Sequence, residues 1–388
     1  SGGDSEAIKA IIDKMTLEQK VAQLFVVSPE TLTGVDSVQY AGDMTYQALQ
    51  DYSVGGIVFE KDNIDSSSQF STMTDNLQSY SEDISGLPLF LAAAEEGGSA
   101  SVLGNNDNLD EYYENSYSDD DSDYSSSSAN SVHSGAPSMS EIGRKNDSTN
   151  AYEAGKSIGS LMSAYGLNLD LAPVADVLSG NSTGIGDRTF GTDAQTVSDM
   201  ASEVIRGIQE EDVNAAMKYF PGYGAASSNM SGFPVINSSL DELKKKEFLP
   251  YSNAIAQGLD FIMVGHISVP NVTGDDTPAS LSEKMISEVL RQDLGFKGIV
   301  MTDYLNDRTI VKNYSAADAA VKAIQAGADL LLEPDDLDAA YEGVLKAVKK
   351  GDITEDRLDE SIYRILRVKL SMQDESSDTT ESESVSDY

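Results

Sequence analysis

The chain has 388 residues, 40% of them hydrophobic, enough to bury a full core as one large α/β domain or two smaller ones. Acidic residues outnumber basic ones 65 to 26, and a net charge of -39 argues against nucleic acid or an anionic membrane surface as partner, while leaving small neutral or cationic ligands open. With no cysteine there is no disulfide or thiolate chemistry, and no run is long and apolar enough for a transmembrane segment.

Residues 1–7 are small and polar and read as a linker, of the kind that follows the lipidated cysteine of a bacterial surface lipoprotein, the alternative being a plain expression scar. The lipoprotein reading places the protein outside the cell or on its surface, with a lipid anchor in the full-length precursor. Thr16 and Gln19 form a capping-box pair that opens a helix reaching Phe25. Strand-like runs follow at 24–27, 56–59, 89–93, 168–172, 213–217, 261–264, 299–302 and 330–332. Helical patterns lie between most of them, at 152–165, 194–210, 239–257, 282–294, 316–326 and 336–349. Eight strands alternating with helices predict a single-domain (β/α)8 TIM barrel over 8–370, the alternative being a doubly wound open sheet. Two acidic, serine-rich tracts interrupt or follow this pattern: 105–135 reads as a low-complexity insertion on a loop, and 371–388 as a disordered tail. The insertion lacks the glycine and regular acidic spacing of a calcium loop, so it is read as a solvated charge run. A halophilic origin would explain the acidity by itself.

The run Gly298-Ile-Val-Met-Thr-Asp303 is an apolar strand that ends on a carboxylate, where catalytic groups collect in a βα-repeat protein. Taken with Met15-Thr-Leu-Glu-Gln-Lys-Val-Ala-Gln-Leu-Phe25, Gly166-Leu-Asn-Leu-Asp-Leu-Ala-Pro-Val-Ala-Asp-Val177, Ile185-Gly-Asp-Arg-Thr-Phe-Gly191 and Lys218-Tyr-Phe-Pro-Gly-Tyr-Gly224, it resembles, in order and spacing, the catalytic barrel of family 3 glycoside hydrolases. The single-barrel β-N-acetylhexosaminidases are the branch it looks most like. The resemblance implies that Asp303 is the nucleophile of a retaining mechanism, attacking the anomeric carbon to form a glycosyl-enzyme; the bland alternative is a helix or loop cap. It further implies that Arg188, Lys218, Tyr219 and His266 bind substrate. Arg188 and Lys218 suit hydroxyl recognition as strong fixed donors, or else form structural ion pairs with Asp187, Asp176 or Asp303. His266 stands at another strand end, where a hydrogen-bonded core histidine is the plain alternative.

Departures from the family pattern bear on activity. Where the family reads Asp-Gln-Glu-Gly-Gly-Arg, this chain has Ala94-Glu-Glu-Gly-Gly-Ser99, so the aspartate that grips sugar hydroxyls is a methyl group; a lost contact of that kind costs about 1 to 3 kcal/mol. Both histidines of Lys-His-Phe-Pro-Gly-His-Gly are tyrosines, Tyr219 and Tyr223, and a phenol titrating near pH ~10 is a poor proton shuttle at neutral pH. The aspartate-histidine pair that serves the branch as general acid and base is absent from 225–234. Losing a general acid costs ~10² to ~10⁴ in rate. Glu95, Glu96, or Glu111, Glu114 and His133 on the insertion are the candidates to replace it.

The sequence therefore supports three readings: a glycosidase acting on β-linked N-acetylhexosamine-type carbohydrate such as cell-wall fragments or glycans, a carbohydrate-binding pseudoenzyme, and a surface scaffold. No metal is expected from two isolated histidines, and no cofactor, because Gly222-Tyr-Gly224 and Gly184-Ile-Gly186 lack the strand-to-helix context of a dinucleotide site. A monomer is expected.

Overall fold

A computed structural model describes residues 2–109, 135–179, 185–224, 227–228 and 232–383. Eight parallel strands form its centre: β1 (Phe25–Val27), β2 (Gly56–Val58), β3 (Phe90–Ala93), β4 (Leu169–Asp170), β5 (Asn214–Phe220), β6 (Phe261–Val264), β7 (Ile299–Thr302) and β8 (Leu331–Leu332). From β1 to β7 each pairs with the next, and β8 pairs with β1 through Phe25↔Leu331 and Val26↔Leu332. The bridge Met301↔Leu330 and the Thr302 N–H on the Leu330 carbonyl (3.0 Å) close the remaining edge into a barrel. The open-sheet alternative is thereby excluded.

Most of the strands form where they do because each is a short apolar run buried on both faces, as expected when helices cover the outside and side chains fill the inside. The predicted capping box is present: the Thr16 side chain accepts from the Gln19 N–H (3.1 Å) and Gln19 Oε1 from the Thr16 N–H (2.9 Å). It starts Leu17–Gln23, which stops before β1 rather than running to Phe25. The helix expected over 239–257 is two, Leu240–Lys245 and Leu249–Ala256. The break falls just before Pro250, which lacks the N–H an uninterrupted helix needs but suits a first turn.

Helix occupies the described residues near both ends. Residues 2–7 belong to the helix Gly2–Lys14 rather than a linker, with Ile8 and Ile12 buried against the body. The C-terminal helix runs Glu355–Glu383, past Leu370 into the tract read as a tail. No glycine or proline stands between 355 and 383 to stop it. Within 105–135 the first residues pack on the barrel: Leu109 is buried, and Asn108 Nδ2 donates to the Ile64 carbonyl (2.8 Å). The insertion from 110 to 134, with Glu111, Glu114 and His133, lies outside the described residues, as do 384–388.

At the barrel end opposite the strand C-termini, the C-terminal helix delivers Lys369 into the interior. Its ammonium, 0% exposed, donates to Gln23 Oε1 (2.8 Å) and the Gly55 carbonyl (2.9 Å) and lies 5.0 Å from the Phe90 ring centroid. Burial pulls its pKa down to about 7, against ~10.4 for an unfolded lysine. Between those values the unfolded chain holds a proton that the folded chain lacks, so stability rises with pH across this window. Relative to Lys369→Met, the wild type is expected to gain about 1 kcal/mol of unfolding free energy per pH unit from 7.5 to 9.5. Urea titrations of both proteins at three pH values check this; parallel trends would place the lysine's folded pKa at its unfolded value.

Candidate functional site

Asp303 is the first residue after β7, at the barrel face where the strand C-termini open. Its N–H donates to the Val264 carbonyl (3.0 Å), which locks it beside the end of β6. One carboxylate oxygen accepts the Tyr304 N–H (2.8 Å) and the other the Tyr223 hydroxyl (3.3 Å). A cavity of about 330 Å³ opens over it. Its wall includes Asp303, Arg188, Tyr219, Tyr223, His266 and Asp307. Four of the five residues singled out for the site thus meet around one space.

The fifth, Lys218, lies beneath. It is 3% exposed, and its ammonium sits 2.7 Å from Glu96 Oε1. Arg188 grips the same carboxylate in a bidentate pair, Nε to Oε2 and Nη2 to Oε1, both 2.7 Å, and donates to the Tyr219 hydroxyl at 2.7 Å. The ion-pair partner of both cations is therefore Glu96, 3% exposed, rather than Asp187, Asp176 or Asp303. Burial pushes the Glu96 pKa up, but Lys218 and then Arg188 hold it below the usual carboxylate value. Arg188 is raised, chiefly by its bond to Glu96.

His266 lines the cavity, yet both ring nitrogens are engaged within the protein, Nδ1 with Ser280 Oγ and Nε2 with the Tyr304 carbonyl, each at 2.7 Å. The carbonyl can only accept, which assigns the proton to Nε2. The ring therefore ties the loop after β7 to Ser280.

Tyr223 had no assigned role from sequence beyond replacing a histidine, and it proves central. Its hydroxyl accepts the His266 N–H (3.0 Å) while donating to Asp303. Beneath it, buried Asp176 accepts the Tyr223 N–H (2.7 Å) and the Tyr219 N–H (3.3 Å). Burial lifts Asp176 to about 7, against the pull of those two backbone donors. Gly265 makes room for both tyrosines: a Cβ there would lie 3.1 Å from Tyr219 Cβ and 3.1 Å from Tyr223 Cε2. Burial first, and the Asp303 charge with it, raise both phenols above their ordinary pKa. They remain protonated donors at neutral pH.

Of the candidates named from sequence to replace the missing acid, Glu95 and Glu96 are described, and both are engaged within the protein. Glu95 is 1% exposed, and its carboxylate accepts the N–H groups of Val102 (2.9 Å), Leu103 (2.8 Å) and Gly104 (3.0 Å), pinning that loop; burial nonetheless raises its pKa. Glu96 is committed to two cations. Asp307, the second carboxylate on the cavity wall, caps the helix Arg308–Asn313 through Thr309.

Two further cavities adjoin. One of about 540 Å³ lies at the end of β3 and is lined by Ala94, Glu96, Ser99 and Lys61, with Arg188 as the wall it shares with the first. The other, about 660 Å³, lies over β1, β2 and β8, between Glu30, Glu60 and Glu333. Tyr304, donating to Glu60 Oε1 at 3.1 Å, crosses from β7 to that side.

A parallel eightfold barrel with a carboxylate at the end of its seventh strand, flanked by an arginine and a buried lysine, defines a glycosidase-type scaffold. The chain belongs to glycosyl hydrolase family 3, whose N-terminal domain matches residues 126–368. Beta-hexosaminidase LpqI of Mycobacterium tuberculosis is 27% identical over 362 residues, covering 90% of this chain and 82% of that protein. The family 3 beta-N-acetylglucosaminidase of Paenibacillus sp. superimposes with a TM-score of 0.80 at 30% identity, covering 92% of this chain and 63% of that one. Beta-N-acetylhexosaminidase of Beutenbergia cavernae gives 0.74 at 26% identity, covering 92% and 99%. The described helices include none long and apolar enough to cross a membrane.

Proposed function

We propose that the protein binds a β-linked N-acetylhexosamine-type carbohydrate over Asp303, and that Asp303 displaces leaving groups which depart without a proton. The observation that carries this is the setting of Asp303, held by the Tyr304 N–H and the Tyr223 hydroxyl at the floor of a cavity walled by Arg188 and Tyr219. A carboxylate oxygen so held can form a bond to the anomeric carbon as the bond to the aglycone oxygen breaks; water then cleaves the glycosyl ester and regenerates the acid. What is weak is the other half of the reaction. Leaving groups such as alkoxides need a proton, and the groups around the cavity are tyrosines that hold theirs, an imidazole tied at both nitrogens, and an aspartate used as a cap.

The same features favour a second reading, a carbohydrate-binding pseudoenzyme. An extracellular site of action belongs to either, since cell-wall fragments and glycans are found there. The two readings separate in one experiment. Hydrolysis of an activated aryl N-acetyl-β-glucosaminide is expected to exceed that of Asp303→Ala by at least ~10³, with hydrolysis of an alkyl glycoside slower by ~10² to ~10⁴. Equal rates for wild type and Asp303→Ala, together with saturable sugar binding, would leave the binder. No binding at all would remove both.

A further inference from the structure

The substituted position on β3 and the cavity beside it describe what kind of carbohydrate the site takes. A carboxylate that grips a sugar hydroxyl also requires that hydroxyl to be free, because a carboxylate can only accept and a glycosylated oxygen has no proton to donate. At the end of β3 this chain has the methyl of Ala94 instead, half-buried, and about 540 Å³ of open space in front of it. That cavity is more apolar than polar over its surface, and its charges are not strongly one-signed. Glu60, Asp62 and Glu96 are balanced in part by Lys61 and Arg188, with Ser99 and Ser101 between them and Ala100 and Val102 as apolar wall. Hydroxyl donors and acceptors beside small apolar surfaces suit an uncharged pyranose. The Arg188 guanidinium stands between this space and the cavity over Asp303, with Nε and Nη2 on Glu96 and Nη2 also on Tyr219, so it lines both spaces. Each cavity by itself reaches the ~300 Å³ at which small-molecule sites begin.

Building on the carbohydrate reading above, we propose that the cavity at Ala94 is a second sugar subsite, so that the protein takes an internal unit of a β-linked N-acetylhexosamine chain over Asp303 while the next unit, joined through the hydroxyl that an aspartate would have held, lies against Ala94 and Ser99. The loop that shapes this subsite is fixed from below: Glu95 holds the N–H groups of Val102, Leu103 and Gly104, and the Gly98 N–H donates to the Ala136 carbonyl (2.8 Å). The subsite is therefore formed before ligand arrives, and chain length should translate directly into affinity.

Calorimetric titration of the Asp303→Asn protein, which cannot consume its ligand, tests this with N-acetylglucosamine and its β-1,4-linked tetramer. The tetramer is expected to bind at least 10-fold more tightly than the monosaccharide. Ser99→Trp, a substitution at an exposed position on the cavity rim, is expected to remove that advantage and leave the monosaccharide affinity within 2-fold, with unchanged circular dichroism and thermal midpoint. Lys61→Ala is expected to reduce the advantage by a smaller factor. Equal affinity for the two sugars, or a length advantage that survives Ser99→Trp, overturns the second subsite while the carbohydrate reading stands. Absence of binding by either sugar overturns both.

Discussion

Replacing Asp329 with alanine is expected to lower the unfolding free energy by about 3 to 5 kcal/mol, the cost of stranding buried charges. Asp329 is 0% exposed and follows the helix Ala316–Ala326 into β8. One oxygen accepts Arg291 Nη2 (2.6 Å) and the Val300 N–H (2.9 Å), the other Ser361 Oγ (2.7 Å) and Arg364 Nη1 (2.9 Å), and Arg357 Nη1 lies 4.0 Å away. The carboxylate thus ties β7, the helix Lys284–Asp293 and the C-terminal helix to one point beneath the barrel. Burial pushes its pKa up, but Arg291, Arg364 and Arg357 outweigh that and hold it below the ordinary value. The stability it supplies is therefore complete above the unfolded pKa of ~3.9 and is lost as pH falls through the lower folded value. A urea midpoint shift at pH 7 with unchanged slope is the measurement. Asp329→Asn, which keeps shape but not charge, should recover only part of the loss. A shift below about 1 kcal/mol for the alanine variant would mean that the arginines find other partners.

Glu96→Gln is the second change with a large expected effect, because one buried carboxylate serves two cations of the site. Without its charge, Lys218 at 3% exposure loses its ion pair and faces Arg188. Stability is expected to fall by about 3 kcal/mol, and affinity for N-acetylglucosamine by at least ~10-fold as Arg188 loses its bidentate anchor and swings from Tyr219. The folded pKa of Glu96 is depressed, so its contribution is present above the unfolded value of ~4.3 and disappears as pH falls below it. Thermal unfolding and calorimetric titration of the variant at pH 7 measure the two losses. Sugar binding unchanged in a folded Glu96→Gln protein would take Arg188 out of recognition. Asp187→Ala is the control, since Asp187 bonds Ser140 and is not a partner of either cation.

The strands were legible because parallel strands covered on both faces read as apolar runs, and each run from 24–27 to 330–332 overlaps an observed strand, although the one expected over 213–217 extends to Phe220. Two of the departures in the helices have readable causes: Pro250 marked the break in 239–257, and the lack of glycine or proline after 355 allowed the last helix to continue. Acidic serine-rich composition argues against a core, but it does not by itself argue against a helix that begins on one.

The candidate site divides along the same line. Asp303, Arg188, Lys218, Tyr219 and His266 were marked by their place in short motifs, and four of them line one cavity. Their partners were not marked. Glu96 is 92 residues from Arg188 along the chain, and Tyr223 is 80 from Asp303.

The order of residues alone determined the eightfold alternation, a carboxylate at the end of an apolar strand, and the lack of any aspartate or histidine over 225–234, because each is a local pattern of residue type and spacing. Barrel closure decided the rest: which carboxylate neutralises Arg188 and Lys218, that the His266 ring is used up in holding a loop, and that space opens beside Ala94. Those outcomes depend on distances between chain segments far apart in sequence, which close packing sets and one-dimensional spacing does not contain.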